Sequence, residues 1–426
     1  MAMLHIKLHW QILIALLLAV LVGSAVGETA TLFGVAIVDI LDFLGALFMN
    51  ALKMLIVPLI VSAIISGIAG VGHTGAFGRL GLKTLLYYAT TTLAAILVGL
   101  TLVNLIQPGL VGGTPVREQI GLTADGDQIA ADLSAHGAGD LVAVFMRLVP
   151  PNVVAAAAEG QMLGLIFFSL LFGYFMTRIG EPYAGNLLGF WQGTFEVMMR
   201  ITGWVMRFAP LGVFALVGKV VATTGMAAFQ PLLIFFLTVL AGLAFHFLVV
   251  LPAILLLVAR VNPLRHYQAM APALLMAFST ASSSATLPIT LSCVERQVGV
   301  SNRTSSFVLP LGATVNMDGT ALYECVAAMF IAQAYGVELG FAQQLLIVTL
   351  ALLTSIGVAG IPAASLVAIT VILTAVGLPV EAVGMILAVD RVLDMCRTAV
   401  NVFSDSCGAV VVARLEGEEG ILQAPA

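Results

Sequence analysis

Five polar side chains recur at helical spacing in an apolar stretch near the C-terminal end of the chain. They are Asp390, Asp394, Arg397, Asn401 and Asp405. At about 100° per residue, they fall within a stripe about 80° wide on a single helix. Ionised groups at bilayer depth are costly unless they are paired or hydrated, and they usually line a transport path. The stripe therefore predicts one wall of a site for a charged ligand, with a structural ion-pair network as the alternative.

The composition places this helix in a membrane. Of 426 residues, 61% are hydrophobic and only 9% are charged. This balance excludes a soluble globular domain, and apolar runs of about 20 residues predict an all-α polytopic membrane protein rather than a β-barrel. The net charge of −5 gives no reason to expect a nucleic-acid partner. The four cysteines have no CxxC spacing and are interpreted as small buried hydrophobes.

Ten apolar spans follow one another along the chain. They are 10–27, 40–70, 82–106, 141–178, 186–218, 228–258, 267–293, 304–335, 342–378 and 382–413. The first is interpreted as a membrane helix, although a cleaved signal peptide has the same outline. The polar stretch 107–140 is predicted to be an extracytoplasmic loop.

Lysine and arginine residues flank one side of these spans much more often than the other, which predicts that both termini are cytoplasmic in a cell (inner) membrane. Nine belong to the cytoplasmic side: Lys7, Arg79, Lys83, Arg178, Arg260, Arg265, Arg296, Arg303 and Arg414. Only Arg117 and Lys219 fall in loops on the other side. This assignment requires that 267–293 and 342–378 each enter and leave the membrane on one side.

Both of those segments are interrupted near their middle by small and polar residues, at 279–288 and 355–365. Their arms are mostly too short to cross a bilayer, and unpaired backbone groups at that depth are tolerated only beside a cavity or inside protein. The pattern predicts two re-entrant helical hairpins facing each other across an inverted repeat, with a site between their tips. Two kinked but ordinary spans are the alternative.

A third interruption lies between the hairpins. Pro310, Gly312 and Gly319 loosen the helix around Asn316 and Asp318. Freed carbonyls beside a carboxylate are oxygen ligands of the kind that hard cations such as Na⁺ prefer. The segment predicts a sodium site, and the alternative is a simple helix kink capped by Asp318 without a bound ion.

Four motifs, in this order, closely resemble the dicarboxylate/amino acid:cation symporter family, which includes archaeal aspartate transporters and mammalian excitatory amino-acid transporters. They are the serine run 282–288, Asn-Met-Asp-Gly-Thr at 316–320, Ala-Gly-Ile-Pro at 359–362, and the charged helix 390–405. The resemblance covers nearly the whole chain. It implies eight transmembrane helices plus two hairpins, a homotrimer in the lipid bilayer, and elevator-type alternating access.

The resemblance also implies a division of the chain. Segments 10–70 and 141–218 would form a scaffold and trimerisation domain. Segments 82–106 and 228–413 would form a mobile transport domain that contains hairpin one (267–293) and hairpin two (342–378).

The family's substrate contacts carry over to eight positions. They are Arg397, Asp394, Thr398, Asn401, Thr320, Ser283, Ile361 and Ser365. The resemblance assigns the substrate's side-chain carboxylate to Arg397 and its ammonium to Asp394. A guanidinium fork also matches a carboxylate on physical grounds.

Three sodium sites carry over in the same way. The first comprises Asp405 with carbonyls of Gly312, Asn316 and Asn401. The second comprises carbonyls of Thr314, Ser355, Ile356 and Val358. The third comprises Tyr88, Thr91, Thr92, Asn316 and Asp318.

Three positions depart from one branch of the family or another. Ala281 and Met395 stand where archaeal and mammalian members, respectively, carry an arginine that balances the aspartate at 394. Arg391 is expected only to pair locally. Glu324 aligns with a proton-carrying glutamate of the mammalian members. A carboxyl at that depth favours its neutral form, which suits either a proton carrier or a plainly buried, hydrogen-bonded acid.

These features predict a secondary active symporter, not an enzyme, that couples Na⁺ to uptake of aspartate or glutamate without a cofactor. Coupling of H⁺ is added if Glu324 is a proton carrier rather than a plainly buried acid. A C4-dicarboxylate:cation symporter is the alternative, which Asp394 disfavours because a dicarboxylate has no ammonium. A neutral amino-acid exchanger would leave Arg397 buried without an anion. An anion channel would need a continuous pore, whereas two opposed hairpins that meet at a site suggest gating. A membrane enzyme would need a nucleophile–base pair or a metal cluster, and neither accompanies these charges in the sequence.

Overall fold

The structure is a computed structural model of the chain. It describes residues 8–27, 30–72, 79–117, 149–159, 162–224, 229–357 and 364–422. The first half of the described chain contains seven α-helices and two short β-hairpins. In order these are α1 (Leu8–Val26), β1 (Thr31–Leu32), β2 (Val35–Ala36), α2 (Ile37–Gly72), α3 (Arg79–Ile106), β3 (Leu110–Val111), β4 (Thr114–Pro115), α4 (Val153–Ala158), α5 (Met162–Met176), α6 (Tyr183–Met206) and α7 (Ala209–Thr224).

The second half is helical throughout its described part. It comprises α8 (Phe229–Phe245), a π-helical turn (His246–Val250), α9 (Leu251–Ile254), a second π turn (Leu255–Ala259), α10 (Pro263–Thr280), α11 (Ser283–Cys293), a third π turn (Val294–Val298), α12 (Asn302–Val315), α13 (Asp318–Ala334), α14 (Phe341–Gly357), α15 (Ala364–Val376), a 3₁₀ turn (Val380–Ala382) and α16 (Val383–Leu415).

The helical class is confirmed, with small local additions. Each β-hairpin pairs only two residues per strand, as in Leu110–Val111 with Thr114–Pro115. In the second hairpin, β3–β4, the turn is Gly112-Gly113. Both glycines have positive φ, which a two-residue turn of this kind requires. This hairpin opens the predicted loop 107–140, whose part beyond Arg117 lies outside the described residues.

Two described helical segments are long and apolar enough to cross a membrane, Arg79–Ile106 and Gln230–Ala259. Helices α6 and α7 add a third if the pair counts as one bent span. The predicted apolar span 186–218 falls on this pair, and it is interrupted at Arg207-Phe208 with a bend of 53°. Within the predicted span 141–178, the described residues include the six-residue α4 and the longer α5.

The segment predicted as hairpin one, 267–293, folds into two packed helices, α10 and α11, of which α10 begins earlier, at Pro263. Its tip is Ala281, which has φ +49, a left-handed conformation that ends α10. Ser282 then caps α11 by accepting a hydrogen bond from the backbone N–H of Ala285. Helices α14 and α15 form the arms of hairpin two and also pack together, while its tip, 358–363, lies outside the described residues.

The third interruption separates α12 from α13. Asn316 and Met317 leave the helical region, with φ/ψ of −104°/93° and −123°/61°. Helix α13 is almost entirely buried, and so is most of the part of α12 that adjoins the break. The break therefore places Asn316 and Asp318 inside the protein, where their polar groups need partners.

Helix packing forms two sets. Helices α1, α2, α5, α6 and α7 contact one another, whereas α3, α8 and α10 to α16 pack around α13 and α16. The sets touch through α7 with α16 and α2 with α14. Packing by itself does not test movement, so the division into scaffold and transport domains stays a prediction.

The segment after α16 ties the base of hairpin one to its neighbours. The Glu418 carboxylate accepts hydrogen bonds from Ser301 N (2.8 Å), Ser301 Oγ (2.6 Å) and Thr304 Oγ1 (2.5 Å) at the start of α12. Leu422 N donates to the Val298 carbonyl at 2.9 Å. Partial burial acts to raise the pKa of Glu418, but these hydrogen bonds outweigh it and hold that pKa below its usual range.

Replacing Glu418 with glutamine is expected to lower the melting temperature in detergent by a few degrees at neutral pH, because the start of α12 loses a charged acceptor. A carboxyl whose pKa is lower in the folded state stabilises above its unfolded value of about 4 and loses that effect as pH falls. The gap between wild type and E418Q should therefore close in acid. The exposed neighbour Glu419→Gln is the matched control, and an equal effect from it would contradict the assignment.

Candidate functional site

The predicted charged stripe lies on one uninterrupted helix, α16, and all five of its members are buried. Arg397 lies at its centre. Its Nη1 is 3.0 Å from Asp390 Oδ1, and its Nη2 is 2.9 Å from Asp394 Oδ1. The guanidinium thus bridges two carboxylates on successive turns of its own helix. The motif predicted the stripe, but Asp390 was assigned no function.

A tyrosine from α13 covers this guanidinium. Arg397 Cζ lies 3.9 Å from the centroid of the Tyr323 ring, close enough for a cation–π contact in a site without bulk water. The Tyr323 side chain is fully buried. Sequence analysis missed Tyr323; the signal available was an aromatic residue four positions after Gly319 at the break.

Residues from the broken helix and from α16 meet at the next turn. Asn401 Oδ1 accepts the Gly319 backbone N–H at 2.8 Å, and Asn401 Nδ2 donates to Thr320 Oγ1 at 3.1 Å. A side chain at Gly319 would place its Cβ 2.8 Å from the Arg397 carbonyl oxygen, so only glycine permits this approach. Thr398 Oγ1 donates to the Asp394 carbonyl of its own helix. Five predicted substrate residues are therefore close together.

The hairpin residues are less directly joined to this cluster. Ser283 begins α11 and is buried. Ser365 lies in the first turn of α15, where its buried hydroxyl has no hydrogen-bond partner among the described residues. No hydrogen bond links either described side chain to Arg397. Ile361 lies outside the described residues.

A second polar cluster surrounds Asp318, which is fully buried. Thr92 Oγ1 donates to Asp318 Oδ1 at 2.7 Å, and Ser404 Oγ donates to Oδ2 at 2.7 Å. His246 Nε2 is 2.9 Å from Oδ2 and approaches from a π turn, a helix irregularity often found at functional sites. The sequence analysis missed Ser404 and passed over His246, although a lone ionisable residue within an apolar span was a usable signal.

Asn316 connects this cluster to Asp405. Its Nδ2 donates to Asp405 Oδ1 at 2.9 Å and to Ser404 Oγ at 3.1 Å. Its Oδ1 lies 3.5 Å from Thr91 Oγ1 and 3.4 Å from Thr92 Oγ1. Two buried carboxylates are thus joined through one amide and one hydroxyl.

Gly312 leaves room beside these groups. A Cβ there would lie 2.5 Å from Asp405 Oδ1 and 2.6 Å from the Tyr88 hydroxyl oxygen, which itself donates to the Val308 carbonyl at 2.7 Å. The cradle is rich in oxygen and carries two carboxylates, which is the donor set that suits Na⁺ carried as cargo. Side chains of the predicted first and third sodium sets lie close together here, and the Asn401 side-chain amide is bonded to Gly319 and Thr320.

The second predicted sodium set is only partly described. Thr314 and Ser355 use their hydroxyls on carbonyls of their own helices, which leaves their backbone carbonyls as the proposed ligands. Helices α12 and α14, which carry them, pack against each other. Ile356 lies in the last turn of α14, and Val358 lies outside the described residues.

Glu324, the candidate proton carrier, is fully buried in α13. Its Oε2 lies 2.7 Å from Thr354 Oγ1 on hairpin two, and its Oε1 has no hydrogen-bond partner among the described residues. Thr354 Oγ1 is also 2.8 Å from the Leu350 carbonyl. Because a hydroxyl has one proton, donation to Leu350 would require a proton on Glu324 to keep both contacts.

Comparison with known proteins finds a matching family and several similar proteins. Residues 8–415 match the sodium:dicarboxylate symporter family. The proton/glutamate-aspartate symporter of Escherichia coli K12 is 36% identical over 96% of this chain and 93% of its own length. The proton/sodium-glutamate symport protein of Geobacillus stearothermophilus is 36% identical over 97% and 95%. Excitatory amino acid transporter 3 of Oryctolagus cuniculus is 37% identical over 97% and 87%.

The chain belongs to the sodium:dicarboxylate symporter family, a family of membrane transporters and not of enzymes. The resemblance predicted from the four motifs is therefore confirmed.

Proposed function

We propose that the protein is a secondary active symporter that couples inward movement of Na⁺ to uptake of aspartate or glutamate. The observation that carries the proposal is the placement of Arg397 and Asp394 on successive turns of one buried helix face. A substrate with a side-chain carboxylate and an α-ammonium offers the opposite charges to these two groups. The names of the three relatives, which include glutamate or aspartate symport and excitatory amino-acid transport, support the substrate class.

Sodium coupling rests on the second cluster. Asp318 and Asp405 would bind Na⁺ together with Asn316, Thr92 and the carbonyls freed at the helix break. Asn316 contacts this cluster, and α13 carries both Asp318 and Tyr323 beside Arg397. A cation that orders the break would thereby favour the substrate-binding arrangement, which links the two binding events reciprocally.

Transport would follow the family's elevator scheme in a trimer. Segments 82–106 and 228–413 would move against a scaffold of 10–70 and 141–218, in a cell (inner) membrane with both termini in the cytoplasm. Hairpin two, including Ile361 at its tip, would close the site from outside. The many exposed apolar side chains on the outer surfaces of α1, α3, α6 and α8 suit contacts with lipid or neighbouring protomers.

The proposed activity is tested by uptake of labelled L-aspartate and L-glutamate into proteoliposomes with an inward Na⁺ gradient. Accumulation is expected with Na⁺ and not with choline, and unlabelled succinate should compete weakly. Equal affinity for succinate and aspartate would favour the C4-dicarboxylate alternative. Uptake unaffected by replacing Na⁺ with choline would contradict sodium coupling.

Proton coupling is assigned to Glu324. The contact between its Oε2 and Thr354 joins the broken helix to hairpin two, so its protonation state affects how these elements pack. Glu324→Gln imitates the protonated acid. The variant is expected to keep Na⁺-dependent aspartate binding and exchange but to lose the response of net uptake to an imposed pH gradient.

The measurement is net uptake and exchange with inside and outside pH set independently. Thr354→Val is the matched variant, because it removes the hydroxyl partner and leaves the carboxyl. Identical pH-gradient dependence in wild type and E324Q would assign Glu324 to packing alone.

A further inference from the structure

Two arginines share one carboxylate at the proposed ammonium site. Asp394 Oδ1 is 2.9 Å from Arg397 Nη2, while Asp394 Oδ2 is 3.4 Å from Arg391 Nη1. Arg391 lies one turn before Asp394 on α16, with a side chain only 11% exposed. Its Nε is buried and has no hydrogen-bond partner among the described residues. This guanidinium is thus held against the site, and Asp394 is its ion-pair partner.

Arg397 cannot bind Asp390, Asp394 and a substrate carboxylate equally well at the same time. Its two terminal nitrogens already contact Asp390 and Asp394. A substrate carboxylate that binds Arg397 must compete with these two groups for the same donors. If Arg397 contacts Asp394 less closely, the Asp394 carboxylate stays buried with less positive charge beside it. This state is costly in free energy until the substrate ammonium binds.

The charge count of the empty site depends on Arg391. With it, Asp390 and Asp394 are balanced by two guanidinium groups. Without it, the cluster carries one net negative charge, and an acidic amino acid brings another. Ala281 and Met395, the positions at which other family branches carry a balancing arginine, hold uncharged side chains here.

We propose that Arg391 is a positioning residue that keeps Asp394 charged, paired and aimed at the substrate ammonium while Arg397 turns to the substrate carboxylate. The inference rests on the proposed function, because it assigns Arg391 to the same acidic amino-acid site. The proposed role requires the positive charge of the Arg391 side chain and not the planar shape of its guanidinium. A positive side chain at this position therefore supports binding, and a neutral one weakens it.

The test compares Arg391→Gln and Arg391→Lys with wild type, using L-aspartate as the probe at saturating Na⁺. The glutamine variant should bind aspartate about tenfold more weakly, because a like charge is then added to an unbalanced site. The lysine variant should remain within about threefold. Arg200→Gln is the matched control, since Arg200 pairs with Glu196 on the exposed surface of α6, at 3.2 Å.

One further readout separates positioning from structure. The rise in melting temperature caused by Na⁺ without aspartate should be the same in all variants, because no hydrogen bond or ion pair joins Arg391 to the described residues of the sodium cluster. Equal weakening by Gln and Lys, or no weakening by either, would overturn the proposal. If wild type itself fails to bind aspartate with Na⁺, the proposed function fails instead, so the two failures are distinguishable.

Discussion

Replacing Arg397 with glutamine is expected to weaken aspartate binding by about a hundredfold or more, because a charged bidentate donor disappears from a buried site. The same change removes the cation that contacts both Asp390 and Asp394. We therefore also expect a loss of stability of about 3–5 kcal/mol, since Asp390 is left buried without this partner while Asp394 keeps Arg391.

The double variant Asp390→Asn/Arg397→Gln separates the two effects. It removes one charge of each sign, so stability should recover while aspartate binding stays lost. Binding is measured in detergent for aspartate, serine and succinate, and stability is measured by thermal unfolding. Gain of serine binding by the double variant would fit a site that has lost its carboxylate-binding group. Near wild-type aspartate affinity in R397Q would contradict the assignment of this arginine.

Neutralising the sodium cluster is expected to have the second largest effect. Asp405→Asn and Asp318→Asn each remove one negative charge from the buried oxygen cradle. The Na⁺ concentration for half-maximal aspartate binding should rise by about tenfold, because binding of cation and substrate is linked. Asp318→Asn should have the larger effect, since Asp318 also accepts hydrogen bonds from Thr92 and Ser404 and contacts His246.

The matched control is Asp42→Asn. Asp42 is an exposed carboxylate on α2 whose partner is Lys219 at 2.6 Å, and such pairs contribute little. Aspartate affinity is titrated against Na⁺ in choline-balanced buffer for wild type and the three variants. Equal sodium dependence in all four proteins would rule out coupling through Asp318 and Asp405.

Local periodicity determined much of what this site contains. Asp390, Asp394 and Arg397 could be placed on one face because side-chain direction in a helix follows from its 3.6-residue repeat. The helix breaks at Ala281 and Asn316 were also predictable, since small, polar and ring-containing residues there favour irregular backbone. The family was identified by the resemblance of four motifs, and the ligand positions were carried over from that resemblance as predictions. These features depend on residues close together in sequence.

Only the tertiary structure decided which polar groups pair. His246 and Asp318 are 72 residues apart, and Glu324 and Thr354 are 30 apart. No local pattern specifies such contacts, because they depend on how helices pack and on the need of each buried polar group for a partner. Packing also places Tyr323 of α13 over Arg397, and only the structure shows the 53° bend between α6 and α7 within 186–218. The sequence therefore determined which charges enter the membrane, and packing determined what each charge contacts.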